Sequence, residues 1–258
     1  METHMFWGRK TSLGIAMMLA LGAATAMPAA AETIVVRASG PSAKGYPPGK
    51  KLADSGTLSL KAGDVVTLLD GRGTRTLRGP GTFGLTAQAS AGTDSRNTLA
   101  SLLETKRVRR ARTGAVRGGV EEDAPAPRSP NLWYVDISQP STACVPDPAN
   151  VQLWRPDIGS AVTLTITPIN GGVSAPVTFG AGEAVAGWPA ALPVTEGASY
   201  RLNWAGLAKP VDIGFSLLGA SAGGLENMAS TLIAKKCDAQ LALLVETVAL
   251  PDPAPDAP

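Results

Sequence analysis

The chain has 258 residues, 44% hydrophobic and 17% charged, with 23 Lys and Arg against 21 Asp and Glu. A net charge of +2 supplies no general drive toward nucleic acid or an acidic membrane surface. The one histidine, His4, lies near the start. A chain that lost its first residues could therefore build no Ser-His-Asp or Cys-His centre, and no zinc site with imidazole ligands.

Such a loss is what the first residues predict. Arg9 and Lys10 precede an uncharged apolar run from Leu13 to Met27, which Pro28 breaks. Ala29, Ala30 and Ala31 then place small residues where a signal peptidase cuts, so cleavage is expected before Glu32. The run is short for a membrane span of about 20 residues, and no cysteine at the cut can accept a lipid. No later stretch is apolar and long enough to span. The expectation is an exported protein of the periplasm with residues 1–31 removed and no transmembrane segment left.

Residues 33–86 alternate short apolar runs with turn residues. Strands are predicted at 33–36, 57–60, 65–69, 74–77 and 82–85, around a Gly, Pro and Lys-rich loop at 39–51. Short strands at close spacing argue for a small antiparallel β domain over 32–90. Within it, residues 68–83 read LLDGRGTRTLRGPGTF. The spacing is not that of a P-loop, and the G-x-G leads into a strand and not a helix. Asp70-Gly71 is a hairpin signal, and residues 78–81 predict a second reversal. The stretch reads as turn scaffold, with anion binding the lesser alternative.

Residues 56–64 (GTLSLKAGD) followed by 65–83 (VVTLLDGRGTRTLRGPGTF) resemble the FecR-type periplasmic domain. Those domains combine a G-D turn, a D-G hairpin and a closing turn with Gly and Pro. The resemblance covers residues 33–86 and implies a β domain that makes contacts and relays or senses, without catalysis. Members usually join an anti-sigma segment through one membrane helix, and no such internal helix is present here.

Residues 91–130 change character. Asp94 or Ser95 is placed to cap a helix with Leu99, Leu102 and Leu103 at helical spacing, which predicts a short helix near 95–112. Lys106, Arg107, Arg109, Arg110 and Arg112 crowd its end, where cations complement the macrodipole. Together with Arg117 they are candidate contacts for an anionic lipid, lipopolysaccharide or an acidic partner; the alternative is a solvated helix end. Residues 121–130, rich in acids and prolines, read as a linker.

The third segment, 131–250, is again β-rich, with strands predicted at 132–137, 151–154, 161–167, 177–179, 199–204 and 211–217. Residues 162–167 (VTLTIT) alternate strictly, so one face is buried. Gly197 shortly before Tyr200 resembles the tyrosine corner of immunoglobulin-like sandwiches. A short helix is predicted near 225–236; 240–248 fits either a strand or a helix, and 251–258 reads as a disordered tail. Cys144 and Cys237, an even pair in an exported chain, predict a disulfide.

The fold class expected is thus mainly β: the small FecR-like domain, then a sandwich-like, immunoglobulin-like domain. Candidate chemistry is sparse. Glu121, Glu122 and Asp123 sit in the linker, while Asp136, Asp147, Asp157 and Asp212 are scattered, so neither paired-carboxylate catalysis nor a calcium loop is expected. Trp154 and Trp204 fall in strands and predict core. Trp188, beside Pro189 in a loop, is a candidate glycan contact or a lid on the sandwich. The reading is a non-enzymatic protein without cofactor or metal, which binds a protein partner of the cell envelope. Binding an envelope polysaccharide is the alternative.

Overall fold

The computed structural model describes residues 32–53, 55–86, 103, 128–219 and 224–249. The predicted helix near 95–112 and the linker at 121–127 lie outside the described residues, apart from Leu103.

The chain opens with β1 (Glu32–Ser39), a 3-10 turn at Ala43–Gly45, β2 (Lys51–Ala53), β3 (Thr57–Leu60), β4 (Val65–Asp70), β5 (Gly73–Arg78) and β6 (Gly81–Gly84). β2, β1, β4 and β5 form one antiparallel sheet in that order, and β3 pairs with β6 in a second. β1 and β4 are continuous apolar runs because the larger sheet is covered on both faces. Val35, Val66 and Leu68 pack with Leu58, Leu60, Leu77 and Leu85 on one side. Val36 and Leu69 join a different cluster on the other, and an irregular register between Val35 and Arg37 accommodates the neighbouring buried valines.

The stretch at 68–83 is a bend. Asp70 pairs with Gly73 across a two-residue turn, and its carboxylate accepts the Arg72 N–H at 2.9 Å. Residues 79 and 80 do not fold β6 back on β5, as the sequence predicts; they carry the chain to the smaller sheet, where β6 meets β3. Gly79 is required there. Its N–H donates to the Asp64 carbonyl at 2.9 Å, and a Cβ would stand 2.0 Å from the Lys61 carbonyl oxygen.

The later strands are β7 (Tyr134–Asp136), β8 (Ser141–Val145), β9 (Gln152–Trp154), β10 (Val162–Pro168), β11 (Ala175–Phe179), β12 (Val185–Gly187), β13 (Ser199–Trp204) and β14 (Val211–Leu217). Five form a sheet in the order β11-β10-β13-β14-β8, and three form another in the order β12-β9-β7. Val135 and Leu153 of the smaller sheet share a core with Leu164, Ile166, Leu202, Ile213 and Phe215 of the larger. The two sheets therefore bury one face each against the other. Two strand pairs are parallel, β14 with β8 and β7 with β9. The alternation in β10 is realised as read, with Leu164 and Ile166 buried and Thr163 and Thr165 exposed. The Tyr200 hydroxyl donates to the Pro193 carbonyl, a bond back to upstream backbone of the tyrosine-corner kind.

Two helices close the described chain, α1 (Leu225–Ala234) and α2 (Asp238–Thr247). Residues 240–248 are thus resolved in favour of helix. Ala229, Leu232 and Leu244 from this pair, with Val248 just after it, meet Val36 and Leu69 of the first sheet and Leu132 and Cys144 of the sandwich in one cluster. The Cys144 and Cys237 sulfurs are at bonding distance, and both residues are fully buried. At the far end, Thr74 of the edge strand β5 donates its N–H to Val248 and its hydroxyl to Val245, at 2.8 and 2.7 Å. The helices are the joint between the two β regions.

Candidate functional site

The sandwich is sealed on one side and open on the other. β11 and β12 are the edge strands on the sealed side, and Pro176 on β11 removes a backbone donor from that edge, a device that blunts strand pairing. On the other side the edge strands are β7 and β8, linked by residues 137–140. There a groove of about 520 Å³ runs between β7, β8 and α2.

Backbone geometry sets what this groove offers. The Gln240 carboxamide accepts the Cys144 N–H at 2.6 Å and donates to the Cys144 carbonyl at 2.8 Å. It so occupies the place of a neighbouring strand at that residue. Its amide nitrogen also donates to Leu132 at 2.8 Å. Successive residues of a strand turn their backbone groups to opposite sides. Thr142, two residues before Cys144, therefore presents its N–H and C=O to the groove as well, and among the described residues β8 has no partner strand on that side.

Side chains complete the lining. Arg128 and Glu246 form an ion pair at 2.6 Å. Tyr134 is half-buried, and burial pushes its phenol above the ordinary value. Asp136 is already engaged, accepting the Ser138 N–H and hydroxyl at 2.8 and 2.6 Å.

Among the described residues the other carboxylates do not converge. Asp212 forms a two-pronged pair with Arg201 at 2.8 and 2.9 Å. Asp157 accepts the Gly159 N–H at 2.9 Å, and Asp147 holds a turn with Ala149 and Asn150. Among the described residues no three His, Cys, Asp or Glu side chains gather as metal ligands would.

Trp188 sits against the sandwich core. Its ring meets Tyr200 and Phe215 edge-on, each at 4.9 Å between centroids, and its indole N–H donates to the Leu192 carbonyl at 2.7 Å. A sugar at this position would find no free indole N–H. Lys106, Arg107, Arg109, Arg110 and Arg112 lie outside the described residues.

Sequence reasoning missed the groove. Its one local signal was Gln240, a polar residue directly before the apolar run LALLV. The exposed edge of β8 leaves no such mark, because STACV carries few of the bulky residues that announce a strand.

No model of a known protein family, no curated protein and no solved structure matches the chain.

Proposed function

We propose that this protein is an exported, non-catalytic interaction module that binds an extended peptide segment of an envelope protein. The observation that carries the reading is the open edge of β8, with the Thr142 backbone facing the groove beside α2. A strand edge with unpaired N–H and C=O groups recognises an extended peptide through main-chain hydrogen bonds. Gln240 plays that part at Cys144, and Thr142 continues the same edge. Arg128 and Glu246 give the groove a charge of each sign with which to set the peptide's direction. The leader-like residues 1–31, the buried cysteine pair and the FecR-type motifs at 33–86 support a periplasmic location and a sensing or relaying role.

A photoreactive residue in place of exposed Gln139, which lines the groove, tests the reading in intact cells. It should capture a partner that the same group in place of exposed Thr178, on β11, does not. Thr142→Pro should abolish capture while the cysteine pair still forms, since proline is tolerated where an edge strand's N–H points away from the sheet. Equal capture from the two positions, or full capture in Thr142→Pro, would refute it.

A further inference from the structure

A second depression lies apart from the groove and shares no lining residue with it. Trp133, Val145, Pro146, Asp147, Asn150 and Val151 enclose about 330 Å³. That is near the small end of ligand pockets, about 300–1,000 Å³, which suits a single ring.

Its lining divides into apolar residues, with Trp133 and Pro146 at the surface over buried Val145 and Val151, and a polar rim. Val145 and Val151 are buried and fixed by the sandwich core. Trp133 packs partly on the cluster at the joint, and its backbone N–H is held by Asn131 Oδ1 at 2.8 Å. Its indole N–H has no hydrogen-bond partner among the described residues and is not sealed from solvent. Trp188 differs on this point, because its N–H is taken by Leu192. A tryptophan with one packed face and an open N–H offers a flat apolar surface with a donor at its edge.

The rim is set before any ligand arrives. Asp147 Oδ1 accepts the Ala149 N–H at 2.9 Å, and the Asn150 side-chain amide donates to Asp147 Oδ2. The Asn150 backbone N–H reaches the Asp147 carbonyl at 3.2 Å. These bonds fix both side chains and leave the Asn150 carboxamide oxygen, its second amide hydrogen and further carboxylate lone pairs for a ligand. Fixed polar groups avoid the ordering cost of binding.

We propose that Trp133, Asp147 and Asn150 form a subsite for one uncharged pyranose unit of an envelope glycan. A pyranose has the matching division, with an apolar C–H face for the indole and hydroxyls around its edge for the carboxylate and carboxamide. Asp147 disfavours acidic sugars by like-charge repulsion. A single aromatic ring and a carboxamide do not make the aromatic cage that holds a quaternary ammonium. The subsite does not depend on peptide binding at the groove, so either reading can fail alone.

The test is a titration of the full exported chain, labelled with nitrogen-15, following the assigned indole resonance of Trp133. The probes are methyl glucoside, N-acetylglucosamine, glucuronate and choline. The resonance should move saturably with either of the first two and stay still with glucuronate. Asn150→Ala changes an exposed residue, so the fold should persist while affinity falls by about tenfold, the scale of one or two lost hydrogen bonds. Three results would overturn the proposal: no shift with either sugar into the tens of millimolar, a shift with choline alone, or unchanged affinity in Asn150→Ala.

Discussion

At the scale of single residues, the first β region depends on Asp64, which is 1% exposed. Its carboxyl is held below the usual carboxylate range, first by the Ser42 side chain, then by the backbone N–H groups of Ser42 and Lys61. The two backbone contacts measure 2.8 and 2.6 Å. They tie the 3-10 turn to the turn between β3 and β4. A depressed folded pKa adds stability that is present above the unfolded value of 3.8 and lost as pH falls through the lower folded value. Asp64→Asn should therefore unfold at a lower temperature than the parent near neutral pH. The gap should shrink as both proteins are taken below the carboxylate range. Thermal unfolding across an acid series checks this, and a gap that widened in acid would reverse the assignment. The same scale limits what sequence can tell. Trp133 and Trp188 both sit beside turn residues, and nothing local separates the indole bonded to Leu192 from the one left open.

At the scale of elements, Gln240 is the joining piece between α2 and β8. It is 7% exposed and meets three backbone groups, Cys144 N–H, Cys144 C=O and Leu132 C=O. Gln240→Leu removes the partner and leaves those groups buried without hydrogen bonds. A loss of about 2–4 kcal/mol is expected, because an orphaned buried polar group costs about 1–3 kcal/mol. The midpoint of denaturant unfolding measures it; a variant as stable as the parent would mean that water reaches the β8 edge. Elements whose pattern is local were legible. VTLTIT alternates because one face of β10 meets the core, and the run of apolar residues in β4 marks a strand. That β4 is buried on both faces was not legible, since its second cover comes from helices more than a hundred residues later. β2, β8 and β12 escaped notice for a related reason: β2 and β12 are only three residues long, β8 (STACV) lacks bulky residues, and all three take their stability from pairing. The groove was hidden with them, because it exists only where the edges of β7 and β8 meet α2.

At the scale of the whole molecule, stability rests on the joint. One cluster draws apolar side chains from the first sheet, the sandwich and the helix pair. Glu196 adds a polar clasp, accepting the Leu217 N–H and the Ser216 hydroxyl while Lys235 at the end of α1 reaches it at 3.2 Å. The cysteine bond closes a loop with a sequence separation of 93, which in the chain-entropy account contributes at most about 4–5 kcal/mol. It also pins the start of α2 to β8. Without it, α2 is held among the described residues by Gln240, the cluster, the Arg128–Glu246 ion pair and the contacts of Thr74 with Val245 and Val248. The double variant Cys144→Ala, Cys237→Ala should therefore lose cooperativity as well as stability. The helix pair opens first and the sandwich core later, as expected for a locally weakened unit. Amide hydrogen exchange reads the order directly. In the variant, the Thr74 amide, bonded to Val248, should lose protection together with the amides of α2, while Leu202 in the sandwich core keeps its own. In the parent the two amides should stay closer in protection. If Thr74 and Leu202 exchanged together in the variant, the helices would not be the weak seam, and the first sheet would be held to the sandwich by something other than the joint.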